Sequence, residues 1–245
     1  MERWSDKVAV VTGASSGIGE ALTLRLANLG LVVVGLARRV EMVEKLVSQV
    51  VGKGSLYARK CDISNTEDIE ATFQWIEEKF GGIDILINNA GTLNKGGIFD
   101  VGGLSDEAIL STINVNFCGL VMCSRKAIAS MTKRNFDGHI VNINSIAGHY
   151  IPFSLFFNVY PATKHAVTAF TATLLNELAT VKSKIKVTSV SPGLVKTQLV
   201  TDDVGSEVPI LQPDDVVDAI VFILSTPPNV NISELSIQPT SEIKL

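Results

Sequence analysis

The stretch K-V-A-V-V-T-G-A-S-S-G-I-G, residues Lys7–Gly19, decides how the rest of the chain is read. Lys7–Thr12 is short, mostly apolar and rich in valine, the pattern of a strand buried on both faces. Glycines at 13, 17 and 19 follow at once, and an apolar-periodic helical segment then runs to about Leu29. Between a strand and a helix, such glycines allow a tight turn, close backbone approach to a pyrophosphate, and an anion at the helix N-terminus. The spacing is G-x-x-x-G-x-G rather than G-x-G-x-x-G, so the glycines take their meaning from the strand–loop–helix setting. That setting implies nucleotide binding.

Working outward, Gly30 ends the helix, and Leu31–Leu36 is a second buried strand that closes on Ala37-Arg38-Arg39. In dinucleotide-binding units an acid about 20 residues beyond the glycines bonds the ribose 2′-hydroxyl. Here an alanine and two arginines stand in that place. Arginine offers a fork of donors to a 2′-phosphate; the alternative is that Arg38 and Arg39 only solvate a strand end. The glycine loop before them favours the phosphate, and with it NADP(H).

The pattern then alternates. A surface helix is expected over Val40–Val50 and a strand over Ser55–Lys60, which leads into Cys61-Asp62-Ile63. Asp62 either accepts a bond from an adenine amino group or caps a turn. Ser64 and Glu67 resemble a capping box for a helix over Thr66–Phe80. Ile83–Ile87 is a fourth strand, ending in Asn88-Asn89-Ala90-Gly91, which suits a ligand-lined crevice better than a core. One long helix is expected over Ser105–Lys133; Asn116, inside its apolar stretch, needs a specific partner. His139–Asn144, Ile185–Ser191 and Ile232–Ile237 complete seven strands, with helices over Asn158–Val181 and Pro213–Leu224. The fold class is therefore α/β, one domain over 1–245 with a doubly wound, seven-stranded parallel sheet and helices on both faces. Residues from about 194 to 212 read as a loop over the ligand crevice.

Ser145 lies at the C-terminal end of the fifth strand, the edge where ligands bind in open α/β sheets. Tyr160 and Lys164 are four apart, so one helical turn places them on the same face, with Pro161 tolerated in the first turn. A free tyrosine has a pKa of about 10, and an ammonium one turn away favours its phenolate and makes it a usable base. A solvated surface pair is the alternative, and the rest of the chain weighs against it. Between Ser145 and Tyr160 the residues Tyr150, Ile151, Phe153, Leu155, Phe156 and Phe157 form an apolar, aromatic wall with few polar anchors. Such a wall favours an apolar molecule bearing one alcohol or carbonyl.

Bulk properties narrow the classes. Of 245 residues, 46% are hydrophobic and 19% charged, the profile of a folded globular chain. A formal net charge of −4 lends no support to nucleic acid or an anionic membrane as partner. Mean hydropathy is +0.31, yet no apolar run approaches the roughly 20 residues of a membrane span. The start leads directly into a strand, which leaves no room for a targeting segment, and the expected setting is cytoplasmic. Three cysteines at 61, 118 and 123 suit neither a disulfide framework nor a metal site; they read as buried fillers, and no metal is expected.

Taken together, T-G-A-S-S-G-I-G (Thr12–Gly19), N-N-A-G (Asn88–Gly91), Asn116, Ser145, Tyr160 with Lys164, and Pro192-Gly193 resemble the short-chain dehydrogenases/reductases over essentially the whole chain. M-E-R-W, G-L-A-R-R, N-S-I-A-G-H and N-V-Y-P-A-T-K-H-A-V-T further resemble the insect antennal and farnesol dehydrogenase group. Related vertebrate cytosolic enzymes act on steroids and other carbonyls. The resemblance implies a Rossmann-type fold and a role for each matched residue. Tyr160 would be the general acid/base, and Lys164 would lower its pKa and hold the nicotinamide ribose. Ser145 would orient the substrate oxygen, and Asn116 would hold a water in a proton relay. Coenzyme contacts would come from Gly13, Ser15, Ser16, Gly17, Ile18, Gly19, Arg38, Arg39, Asp62, Ile63, Asn89, Ala90, Gly91, Tyr160, Lys164, Pro192, Gly193, Val195 and Thr197. The substrate would meet Ser145, His149, Ile151, Phe156 and Tyr160, and would be an isoprenoid alcohol such as farnesol, with steroids or retinoids as alternatives. A homodimer or homotetramer paired through the two long helices is implied as well. Two departures stand out: Ser145 lies slightly further before Tyr160 than is usual, and the loop between Pro192 and Pro213 is short for the group. A catalytically silent nucleotide-binding scaffold is the competing class, since fold alone does not fix function.

Overall fold

In the computed structural model, residues 1–99, 103–152, 157–200 and 208–242 are described. Seven strands form one parallel sheet: β1 (Val8–Thr12), β2 (Val32–Ala37), β3 (Ser55–Lys60), β4 (Ile85–Asn88), β5 (His139–Ile143), β6 (Lys186–Pro192) and β7 (Glu234–Ile237). Their spatial order is β3-β2-β1-β4-β5-β6-β7, so the chain runs outward one way from β1 and then crosses to β4 and runs out the other way. The register is set by the apolar runs: Val8 to Thr12 pair with Val32 to Leu36, and Ala9 to Val11 with Ile85 to Ile87. The β1/β4 boundary is the topological switch point, where a crevice opens outside the carboxyl ends of the strands.

Because strand side chains alternate, each central strand feeds two cores. On one face, Ala9, Val11, Ile85, Ile87 and Val141 pack with Leu22 and Leu26 of α1 (Gly17–Asn28), Val43 of α2 (Val40–Val47) and Val216, Val217 and Ile220 of α7 (Pro213–Ser225). On the other, Val10, Leu86 and Ile140 pack with Ile69, Phe73 and Ile76 of α3 (Thr66–Phe80), Cys123, Ala127 and Met131 of α5 (Leu120–Lys133), and Leu174 and Leu178 of α6 (Tyr160–Thr180). This two-faced burial explains why the strands read as continuous apolar runs.

Several expectations shift. The long helix over Ser105–Lys133 is three pieces: α4 (Asp106–Ile113), a π-helical segment Asn114–Gly119, and α5. A π segment interrupts the helical repeat, and such interruptions cluster at functional sites; this one carries Asn116. Among the described residues, Asp106–Lys133 is the one helical stretch long and apolar enough to cross a membrane. It packs Cys123, Ala127 and Met131 into the core. The cap of α3 is Asn65, whose side chain accepts from the N–H groups of Glu67 and Asp68, rather than Ser64. Ser64 instead bonds Asp62 through both its N–H and its hydroxyl. The helix expected from Asn158 begins at Tyr160; Asn158 adopts φ 38° just outside it. Cys61 and Cys123 are buried fillers, but Cys118 is exposed.

Candidate active site

A cleft of ≈ 680 Å³ opens at the carboxyl ends of the strands. The loop after β1 supplies its Gly13, Ser15, Ser16, Gly17 and Ile18, and the end of β2 supplies Arg38 and Arg39. Asp62 and Ile63 follow β3, Asn89, Ala90 and Gly91 follow β4, and Ser145 follows β5. Tyr160 and Lys164 enter from α6, and Pro192, Gly193, Val195 and Thr197 from the end of β6 and beyond. Gly13 has φ 69°, and a Cβ there would stand 2.7 Å from the Ala90 Cα, so only glycine lets these two loops meet. Gly19 does not line the cleft; it lies beneath the loop, where a Cβ would be 2.2 Å from the Gly13 carbonyl oxygen.

The two amides of the N-N-A-G run have separate tasks. Asn89 ties the loop after β4 to the glycine loop: its Nδ2 donates to the carbonyls of Thr12 at 2.9 Å and Gly13 at 3.2 Å. The Thr12 hydroxyl accepts in return from the N–H groups of Asn89 and Ala90. Asn88, expected in a crevice, is a core residue. Its Nδ2 donates to Ser124 Oγ at 2.8 Å and Asn142 Oδ1 at 2.9 Å. Arg38 and Arg39 are exposed at the cleft rim, and Arg39 Nη2 donates to Gln198 Oε1 across the cleft at 3.1 Å. An exposed pair of guanidinium groups beside a glycine loop fits a phosphorylated dinucleotide.

At the end of the cleft away from the arginines, Ser145 caps the short 3₁₀ turn Ile146–Gly148, its Oγ accepting from the Ala147 N–H at 3.1 Å, and its side chain neighbours the Tyr160 hydroxyl. Tyr160 is the first residue of α6, so its position follows from how that helix begins. Asn158 fixes the start, with Nδ2 donating to the carbonyls of Asn94 at 2.6 Å and Gly96 at 3.2 Å. Lys164 Nζ donates to the Ile143 carbonyl at 2.9 Å and lies 5.6 Å from the Tyr160 ring centroid. The expectation that Lys164 pulls the tyrosine pKa down is not met in the chain alone. Burial pushes the Tyr160 hydroxyl up to about 12, with the neighbouring Ser145 hydroxyl opposing it. Burial also pushes Lys164 down to about 8. Loss of water disfavours the charged form of each group.

Three expected site residues lie elsewhere. Asn116 is fully buried and does not line the cleft; it clamps Thr92 and reaches Thr163. His149 does not line it either: its Nε2 is bonded to Ser191 Oγ at 2.9 Å, and Ser191 in turn donates to Glu234. A serine that gives its proton to a carboxylate leaves the histidine as donor, so His149 ties the Ser145 loop to β6 and β7. Ile151 points to solvent at 66% exposure. Phe156, with Phe153 and Leu155, lies outside the described residues. His165 bonds the Pro161 carbonyl within its own helix. Sequence reasoning missed Thr92, Asn158, Gln198 and Glu242; none of them carries a spacing signal.

A phenol, a serine and a lysine at one end of a dinucleotide-shaped cleft, with arginines at the other, can exchange a proton with a substrate oxygen beside a hydride carrier. The family model described as short chain dehydrogenase matches residues 7–207. The chain belongs to the short-chain dehydrogenase family. As a short-chain dehydrogenase it is an oxidoreductase, and the silent-scaffold alternative falls. It is 49% identical over 246 residues to a farnesol dehydrogenase of Aedes aegypti, covering 99% of each chain. It is 40% identical over 257 residues to dehydrogenase/reductase SDR family member 11 of Mus musculus, covering 99% of this chain and 98% of that one. Among solved structures it superposes with a TM-score of 0.87, at 26% identity, on an alcohol dehydrogenase from the archaeon Thermococcus sibiricus complexed with 5-hydroxy-NADP. That match covers 98% of this chain and 99% of the other.

Proposed function

We propose that this short-chain dehydrogenase uses NADP(H) to interconvert an apolar alcohol and its carbonyl, with an isoprenoid alcohol such as farnesol as substrate. One arrangement carries the reading: Ser145, Tyr160 and Lys164 share a cleft with the glycine loop, Arg38 and Arg39. Arg38 and Arg39 would hold the 2′-phosphate, the loop from Gly13 to Ile18 the pyrophosphate, and Lys164 the nicotinamide ribose. The nicotinamide ring, when bound, supplies the hydride acceptor or donor.

The chain's own work is the proton and the geometry. In oxidation the Tyr160 oxygen takes the hydroxyl proton as the carbon gives up its hydride; in reduction Tyr160 returns that proton to the new alkoxide. Ser145 Oγ orients the substrate oxygen beside it. Asn116 acts through its clamp on Thr92. Both Nδ2 hydrogens are engaged, so a relay water fits only at its Oδ1.

Leu93, Tyr150, Pro152, Phe157, Leu194, Leu199 and Val200 give the cleft an apolar wall, and the similarity to a farnesol dehydrogenase supports the same substrate class. Catalytic efficiencies with NADP+ for farnesol, geraniol, a hydroxysteroid, retinol and a sugar alcohol test this. The apolar alcohols should dominate; turnover of the sugar alcohol alone would overturn it. The same reading takes the protein as one cytoplasmic domain that pairs as a homodimer or homotetramer through α4, α5 and α6. Exposed Leu110 and Met122 support that pairing, and sedimentation at micromolar concentration checks it.

A further inference from the structure

The cleft holds a carboxylate that the proton transfer does not use. Glu242 follows β7, at one edge of the sheet, whereas Arg38 and Arg39 follow β2 on the far side of β1. The cleft therefore carries Arg38 and Arg39 at one end and Glu242 at the other, with Asp62, Lys95 and Lys164 also in its lining. Glu242 Oε1 accepts from the Leu194 N–H at 3.0 Å, and Oε2 accepts from Gln238 Nε2 at 3.2 Å. The carboxylate lies against Gly193 so closely that a Cβ there would stand 1.9 Å from Oε2.

Gly193, Leu194 and Tyr150 line the cleft together with Glu242. The charge reaches Tyr150, whose pKa is raised first by burial and then by Glu242. It does not register at Tyr160, where burial and Ser145 are the causes. A carboxylate has about four acceptor positions, so the two hydrogen bonds it makes among the described residues do not use them all.

We propose that Glu242 is a specificity-determining residue that places a negative charge at the substrate end of the cleft, turning away carboxylates while admitting uncharged or cationic molecules of the same chain. The inference rests on the reading of this cleft as an apolar alcohol site, and it adds a rule: the alcohol and the aldehyde bind, and the corresponding acid does not.

Calorimetric titration of the NADPH-loaded protein with dodecylamine, dodecanamide and dodecanoate tests it, since the three probes share a chain and differ in charge. The wild type should bind them in the order amine, amide, acid, with amide over acid by about tenfold, the size expected for like charges in a partly solvated cleft. In Glu242→Gln, which keeps the side-chain length and the acceptor for Leu194, the amide–acid gap should shrink to about twofold. NADPH affinity in the variant, unchanged within about twofold, reports an intact fold; the probe order in the wild type needs no variant at all. A wild type that binds acid as well as amide, or a Glu242→Gln protein with the gap unchanged, overturns the role of Glu242 alone. A wild type that binds none of the three overturns the apolar-substrate reading and this inference with it.

Discussion

Asn116 and Thr92 hold each other by two hydrogen bonds: the Thr92 N–H donates to Asn116 Oδ1 at 2.8 Å, and Asn116 Nδ2 donates to the Thr92 carbonyl at 2.9 Å. The amide thus satisfies both backbone groups of one loop residue as a strand partner would, while its second Nδ2 hydrogen goes to Thr163 one turn into α6. Thr163 donates onward to the Tyr160 carbonyl at 2.7 Å. The π segment brings Asn116 to this place and so links the cleft wall at Thr92 to the first turn of α6. Asn116→Ala should lower stability by about 1–3 kcal/mol, the cost of leaving buried polar groups unpaired. Urea denaturation measures this, and a loss below about 0.5 kcal/mol would mean that the clamp is dispensable.

A second expectation concerns pH. Lys164 titrates near 8 when folded against an ordinary 10.5. In that window the unfolded chain binds the proton and the folded chain does not, so stability rises as pH climbs from about 8 to about 10.5. Tyr160 works in the opposite sense: its folded value near 12 exceeds the ordinary 10, so stability falls above pH 10. Lys186, also lowered to about 8, contributes its own rise. Lys164→Met should therefore remove part of the gain between about pH 8 and pH 10, a part approaching 1.4 kcal/mol per pH unit. Identical pH slopes in wild type and variant would place the Lys164 titration elsewhere.

The proposed reading of the coenzyme's 2′-phosphate rests on Arg38 and Arg39. Replacing both with alanine should weaken NADP(H) by about 10- to 100-fold, as expected when charge-assisted hydrogen bonds are lost, while NAD(H) changes by less than about threefold. Titration of each coenzyme by fluorescence quenching reads this out. Equal losses would assign the arginines to holding the loop at Gln198 rather than to a phosphate.

The fold was legible because both faces of its sheet are covered. Burial on two sides made β1, β2, β4 and β5 continuous apolar runs, and the helices between them carried periodic faces. Most glycine-loop and strand-end positions were equally legible, since each stands at the end of an identifiable strand. Asn116 was recognised as an amide in need of a partner, but Thr92, its partner, carried no signal: what Asn116 uses is backbone, and backbone has no sequence signature. His149 misled because proximity in sequence to Ser145 does not fix a side chain's direction; a 3₁₀ turn sends it to Ser191 and Glu234. The direction of the Tyr160 shift was missed for a related reason. Spacing places a lysine one turn away, but only the packed structure shows that both groups lose water and that Lys164 is engaged by Ile143. Glu242 was invisible because it enters the cleft from a tail with no periodicity, across the full width of half the sheet.

The most direct measurement follows NADP+ reduction by farnesol in the wild type and in Tyr160→Phe, with coenzyme affinity determined for both. Removing the hydroxyl takes away the group beside Ser145 in the cleft that this reading has exchanging the substrate's proton. Turnover should fall by about 10²–10⁴-fold, the usual worth of a positioned acid/base, with NADP+ affinity unchanged within about threefold. A Tyr160→Phe protein that keeps more than about a tenth of the wild-type rate would contradict the assignment of Tyr160 as the acid/base.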